Sequence, residues 1–248
     1  MNTAPKVHAM IVAAGRGSRF GAAVAKQYVV IGGQTLLQHS VARLADSHYI
    51  ERCLLVIAED DDSARTLDFA LPIDYAIGGD ERWQSVLSGL EALIASGIDA
   101  DDLVLIHDAA RPAVPCHDVE AVIAAAMLET YGAILATPVA DTLKRAQASN
   151  NEGFSNKGEV GVSDYIERTI DRCHLWQAQT PQVFRAHQLR KVLAHVANNK
   201  LPITDEASAF EYLSLPIRLV TGSRQNIKLT YPDDAVLLAA ILQLQSEC

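Results

Sequence analysis

The sequence predicts an α/β fold, a mostly parallel sheet with helices on both faces, and three observations predict it. Short continuous apolar runs, such as residues 53–58 (CLLVIA) and 103–107 (LVLIH), read as strands buried on both faces. These runs alternate with longer segments whose apolar residues recur at helical spacing. The glycine-rich and charged stretches follow the strands, where an open parallel sheet gathers its ligand.

Taken in order, residues 9–12 (AMIV) read as the first strand, and 35–44, with Leu36, Leu37, Val41 and Leu44, as a helix. Residues 53–58 form the second strand, and 60–69 a helix opened by acidic residues. A short strand at 73–77 precedes Gly78-Gly79, and a helix covers 81–94. The strand at 103–107, a helix at 119–128 and a strand at 133–137 running into Pro138 continue the alternation. Residues 147–161 (QASNNEGFSNKGEVG) then break it. The flanking residues 142–145 and 165–169 are able to pair as a hairpin, so the insertion is either a projecting arm or a surface loop on composition alone. Helices at 186–196 and 205–213, a strand at 217–220 and a final helix from Pro232, a good first helical residue, complete the chain. The whole, 1–248, reads as one domain with an insertion at about 141–172.

Bulk properties narrow the function. With 49% apolar and 21% charged residues the chain has the balance of a globular enzyme. A formal net charge of −9 disfavours nucleic acid and anionic membranes as partners. Cys53, Cys116, Cys173 and Cys248 lack CxxC or metal-ligand spacing, which suits a reducing cytoplasm. The first residues, MNTAPKVHAM, do not read as a signal peptide, and no apolar run reaches membrane-spanning length.

The loop after the first strand holds Gly15, Gly17 and Gly21 with Arg16, Arg19 and Lys26. Backbone N–H groups that approach closely, with cations beside them, suit a polyphosphate. No GxxxxGK[ST] string occurs. The dinucleotide fingerprint is only half matched, since Phe20 replaces its third glycine and no acidic residue follows the second strand at the expected distance, so a nicotinamide-dependent dehydrogenase is disfavoured. Further polar groups follow the other strands: Gly78 to Arg82, His107 to Pro112, Pro138 to Thr142, and Gly222 with Asn226 to Lys228, and these converge in one crevice. Asp108 is placed to help hold a divalent cation or orient a substrate hydroxyl, or else to pair with Arg111 or cap a helix. His107 reads as a packed strand-end histidine; HExxH, HxH and GxSxG are missing. Lys228, between Ile227 and Leu229, is either a site cation facing away from both or an exposed strand lysine.

The ordered set AAGRGSRF…KQY, GGDERWQSV, HDAARP, DTLKR, TPQVF, ITDEAS and NIKLT resembles the 2-C-methyl-D-erythritol 4-phosphate cytidylyltransferases from about residue 7 to 234. HDAARP and ITDEAS together are highly specific; the loop alone points only to nucleotidyltransferases at large. The resemblance implies a Rossmann-like sheet of the nucleotide-diphospho-sugar transferase type and a β-arm that makes a homodimer. It implies cytidylyl transfer from CTP to methylerythritol 4-phosphate, with Mg2+ or another divalent cation on the phosphates. It assigns Arg19, Lys26 and Lys228 to catalysis, and Ala13, Ala14, Gly15, Gly79, Asp80, Arg82 and Ser85 to the nucleotide. Asp108, Arg111, Thr142, Arg172, Thr180 and Thr204 fall to the second substrate, with Thr142 and Arg172 reaching from the neighbouring subunit and Asp108 the one candidate metal contact. Val12 and Ala25 depart from the prolines common in the family, and the arm tip is longer than usual. The alternatives are a ribitol-5-phosphate cytidylyltransferase, which would differ where the polyol binds, and a non-catalytic nucleotide sensor.

Overall fold

The structure is a computed structural model and describes residues 4–15, 25–147 and 165–246. Strand β1 (Val7–Val12) opens the chain. After a short turn of 3-10 helix at Lys26–Tyr28, strands β2 (Val30–Ile31) and β3 (Gln34–Thr35) form a small hairpin. Helix α1 (Leu36–Ala45) starts at Thr35, whose hydroxyl accepts from the Gln38 N–H while Gln38 Oε1 accepts from the Thr35 N–H. Strand β4 (Cys53–Ile57) follows, every residue buried.

The helix expected over 60–69 is reduced to a 3-10 turn at Ser63–Thr66. Asp61 is the reason: its carboxylate accepts the Tyr28 hydroxyl at 2.6 Å and the Ala64 N–H at 3.4 Å, a local bond that competes with helix. The chain continues through β5 (Ile73–Ile77), α2 (Arg82–Ala95), the fully buried β6 (Leu103–Asp108), α3 (Cys116–Met127) and β7 (Gly132–Pro138). Strands β8 (Leu143–Ala146) and β9 (Ile166–Ile170) pair antiparallel as the sequence suggests, each a residue later than expected, in a two-stranded sheet separate from the main one. The tip between them lies outside the described residues.

One strand escapes sequence reading. Strand β10 (Trp176–Arg185) runs antiparallel between β6 and β7, with an irregularity between Ala178 and Gln182 that accommodates Pro181. Helices α4 (Ala186–Asn199) and α5 (Glu206–Glu211), strand β11 (Arg218–Thr221) and helix α6 (Asp234–Ser246) finish the chain. Helix α6 begins two residues after Pro232. Asp234 draws the N–H groups of Thr230 and Tyr231 onto Oδ2, at 2.7 and 2.8 Å, which holds residues 230–233 in a turn.

The main sheet has the order β11-β7-β10-β6-β1-β4-β5, parallel throughout except for β10. Alternate strand residues face opposite layers. Leu55 and Leu105 meet Leu37, Val41, Val119 and Ile123 on the face covered by α1 and α3. Leu54, Val104 and Phe184 meet Val86, Leu90, Leu189 and Phe210 on the face covered by α2, α4 and α5. A third cluster packs Leu238 and Leu242 of α6 against Leu36 and Leu229. The chain steps outward from β1 to β4 and β5, then returns to β6 on the other side of β1, so the carboxyl ends of β1 and β6 flank the point where strand order reverses. No helix among the described residues is long and apolar enough to cross a membrane.

Candidate active site

At that reversal point β1 leads into Ala13, Ala14 and Gly15. Ala13 donates its N–H to Val56 and accepts the buried Gln27 side-chain amide at 2.8 Å, which ties the returning end of the glycine-rich loop to β1. Next to Gln27, Lys26 Nζ donates to the Leu229 carbonyl at 2.9 Å. Lys26 and Lys228, 202 positions apart in the chain by subtraction of their numbers, are thus brought beside one segment. Arg19, with Arg16, Gly17 and Gly21, lies outside the described residues.

The loop after β5 packs tightly onto the same place. A Cβ at Gly78 would stand 2.5 Å from the Ala14 Cβ and 2.7 Å from Ser85 Oγ, so only glycine lets the two loops meet. Buried Ser85 accepts the Gly79 N–H at 3.1 Å and thereby shapes the 79–81 turn. Asp80 is exposed on that turn, and Arg82 begins α2.

The centre is Asp108, the buried last residue of β6. Arg82 Nε donates to its Oδ1 at 3.1 Å, Lys228 Nζ donates to its Oδ2 at 2.6 Å, and Arg111 Nε stands 4.0 Å from the same oxygen. Burial alone would raise the carboxyl's pKa, but Arg82 and Lys228 hold it well below the ordinary carboxylate range. Arg82 also donates to Glu206 in the first turn of α5, a carboxylate with 0% exposure. Burial raises the pKa of Glu206 against the pull of Arg82. Burial lowers that of Arg82, yet its two carboxylate partners more than offset this. Lys228 lies outside any strand, half-buried, and its ammonium group is paired with Asp108 rather than left in solvent as an exposed strand lysine would be.

The sequence reading of His107 holds. The ring has 0% exposure and its Nε2 meets the Arg111 carbonyl at 2.9 Å, so Nε2 carries the proton. Nδ1 then accepts from the Thr180 hydroxyl at 3.0 Å, and that hydroxyl in turn accepts the Asp108 N–H at 3.0 Å. Thr180 therefore orients the end of β6 from behind. Burial pushes the pKa of His107 down from 6.5 to about 4. Between those values the unfolded chain takes up a proton that the folded ring refuses. This contribution to stability is full above pH 6.5 and is lost as pH falls to about 4. The denaturation midpoint is expected to fall between about pH 7.5 and about pH 5, and His107→Gln to flatten that slope. An identical slope in the variant would remove His107 as its source.

Two further residues, assigned no role from sequence, lock the site. Buried Asn226 donates to Gln179 Oε1 and the Thr180 carbonyl, and its own carbonyl accepts Arg111 Nη1 at 2.7 Å. Gln182, buried in β10, donates to Asp205 and accepts the Ala207 N–H, pinning the start of α5 beside exposed Thr204. Both lie in motifs picked out in the sequence, and only the unexpected strand β10 puts them in reach. Thr142 and Arg172, exposed at the two roots of the β8–β9 hairpin, make no hydrogen bond or ion pair with Asp108, Arg82 or Lys228.

Among the described residues no group of three His, Cys, Asp or Glu is placed to hold a metal ion. Asp108 is a single carboxylate whose oxygens already face cations, so its chemistry fits a divalent ion carried in on phosphate oxygens rather than one caged by protein. A cavity of about 510 Å³ adjoins Lys228 on its β7 and β10 side. Another of about 510 Å³, lined by Lys6, His8 and Arg52, lies at the opposite pole of the sheet and holds none of these groups.

The backbone of Ala13 to Gly15 and of Gly78 and Gly79 on one side, and cations gathered round one buried carboxylate on the other, suit phosphoryl chemistry run by positioning and charge, with no nucleophilic side chain required. On this sheet they define a nucleotidyltransferase. Residues 7–244 match the model of the 2-C-methyl-D-erythritol 4-phosphate cytidylyltransferase family (IspD), and the chain belongs to that family. It is 64% identical to the 2-C-methyl-D-erythritol 4-phosphate cytidylyltransferase of Psychrobacter cryohalolentis, over 99% of this chain and 95% of that one. It is 41% identical to that of Tolumonas auensis, over 96% of each. A crystal structure of a 4-diphosphocytidyl-2C-methyl-D-erythritol synthase superposes with a TM-score of 0.79 at 35% identity, over 96% of this chain and 99% of that one.

Proposed function

We infer that the chain transfers the cytidylyl group of CTP to 2-C-methyl-D-erythritol 4-phosphate and releases pyrophosphate. The observation that carries this reading is the seam at Asp108 and Lys228. The backbone suited to the nucleotide, Ala13 to Gly15 and Gly78 to Asp80, follows β1 and β5 on one side of it, and Thr142, Arg172 and Thr180 lie along β7 to β10 on the other, while Thr204 stands beside Arg82. In the reaction a phosphate oxygen of the methylerythritol phosphate attacks the α-phosphorus of CTP in line. A P–O bond forms there, and the bond to the bridging oxygen breaks with its electrons leaving on pyrophosphate. Arg19, Lys26 and Lys228 would offset the charge that grows on the α- and β-phosphate oxygens. Ala13 to Gly15 with Gly79, Asp80, Arg82 and Ser85 would frame the nucleotide. Asp108, held ionised and oriented by Arg82, would keep Lys228 aimed at the junction and take a substrate hydroxyl. Mg2+, carried on the triphosphate and touching Asp108 at most, would supply further charge neutralisation.

The working unit is a homodimer of single-domain chains, with the hairpin at about 141–172 reaching the partner. Its support is that Thr142 and Arg172 touch nothing in their own chain's cluster, and that Tyr165, Ile166, Leu175 and Trp176 are exposed on this hairpin and its continuation. A cytoplasmic setting suits Cys53, Cys116 and Cys173, all unpaired.

The test is pyrophosphate release from CTP with Mg2+, offering methylerythritol 4-phosphate and ribitol 5-phosphate in parallel, with and without a chelator. Release with the former alone, abolished by the chelator, is expected. Release with ribitol 5-phosphate instead would move the activity to the sister enzyme, and silence with both from folded protein would leave a nucleotide sensor.

A further inference from the structure

We propose that Arg224 binds the phosphate of the polyol phosphate, as the third cation of the cavity it shares with Arg111 and Lys228. The cavity of about 510 Å³ opens beside Thr137 of β7 and Gln177 of β10, and the charged residues lining it are Arg111, Arg224, Lys228 and Asp141. The lining carries three cations and one carboxylate, so even with Asp108 bonded to Lys228 behind it the cavity wall has an excess of positive charge. Arg224 has no hydrogen bond or ion pair among the described residues, whereas most other cations of the site have carboxylate or carbonyl partners. The loop that carries it is nevertheless tied down on both sides. Ser223 donates its N–H to buried Asp118 at 2.6 Å, and the Gln225 N–H donates back to Ser223 Oγ at 3.1 Å. Arg111 supplies an independent sign: its Nε is buried and makes no hydrogen bond, although its Nη1 is committed to the Asn226 carbonyl.

The chemistry wanted is that of a phosphate monoester. It carries about −1.5 to −2 charge at neutral pH and offers three acceptor oxygens, which a guanidinium fork meets two at a time. Position selects which phosphate. The cavity lies on the β7, β10 and β11 side of Asp108, and the backbone of Ala13 to Gly15 and of Gly78 to Asp80, which suits a triphosphate, follows β1 and β5 on the other side. The anion bound here is therefore that of the second substrate. This assignment rests on the transferase reading above and adds to it a residue that none of the sequence motifs singles out.

Arg224 is exposed, so its replacement leaves the core untouched. Calorimetric titration with 2-C-methyl-D-erythritol 4-phosphate in the absence of CTP is expected to show Arg224→Ala binding about tenfold more weakly, with Arg224→Lys in between because charge returns without the fork. KM for CTP should stay within about twofold of wild type. Unchanged affinity for the polyol phosphate in Arg224→Ala overturns the assignment, and so does an equal loss for CTP. If the wild type binds methylerythritol 4-phosphate more tightly than Arg224→Ala does but releases no pyrophosphate, the transferase reading falls while the subsite stands. Turnover by wild type with Arg224→Ala indistinguishable from it leaves the reading and removes the subsite.

Discussion

Lys228→Ala is expected to lower kcat/KM for both substrates by roughly 100- to 1,000-fold while the fold stands. The two halves of that expectation have separate causes. Activity falls because the proposed reaction puts this ammonium group at the α-phosphate, and a charge aimed at the reacting centre stabilises the transition state more than the ground state. The fold stands because Lys228 is only half-buried and its removal leaves Asp108 with Arg82 at 3.1 Å and Arg111 at 4.0 Å. No buried charge is stranded. Pyrophosphate release read alongside a urea midpoint checks both halves. Near-normal turnover would end the catalytic assignment, and a midpoint that collapses with the activity would make Lys228 a structural residue.

The opposite pattern is expected at Glu206, where Glu206→Ala should cost on the order of 3–5 kcal/mol of stability. Here the group is fully buried, and its removal leaves Arg82 with Asp108 as its sole carboxylate partner and an empty volume at the start of α5. Glu206→Gln preserves the shape and an acceptor for Arg82, so its loss should be smaller, about 1–3 kcal/mol. Denaturant unfolding of the two variants beside wild type decides the matter. An alanine variant within about 1 kcal/mol of wild type would show that the Arg82–Glu206 pair adds little beyond its packing.

The fold was legible wherever burial alone shapes the sequence. Strand β4, and β6 as far as Ile106, are apolar because helices cover both their faces, and α1 announces itself through the helical spacing of Leu36, Leu37, Val41 and Leu44. Strand β10 was hidden because its sequence, WQAQTPQVFR, spends its polar residues on the site. Gln179 bonds Asn226, Gln182 bonds Asp205, and Pro181 falls where the ladder is interrupted. Function wrote over the strand pattern there. The site was legible in the same uneven way. Asp108, Arg111 and Lys228 were foreseeable as polar groups after strands that end at one pole. The bond from Arg82 to Glu206 joins residues 124 positions apart, and a buried glutamate in the first turn of a helix looks in sequence like an ordinary favourable helix start. Only the packing of α5 against α2 and β10 distinguishes the two.

Asp108 also acts as a resident anion. Three cations crowd toward one place, and without an internal counter-charge their mutual repulsion would push them apart before any ligand arrived. The carboxylate keeps them assembled, so substrate phosphates do not fill a vacancy but enter an exchange in which Lys228 swaps one oxygen partner for another. An exchange of that kind discriminates. A lone small anion gains from one or two cations no more than Asp108 already offers them, whereas a ligand that engages the glycine loops and the polyol side together gains enough elsewhere to win the trade. The site is thereby insulated from the free phosphate around it by its own carboxylate.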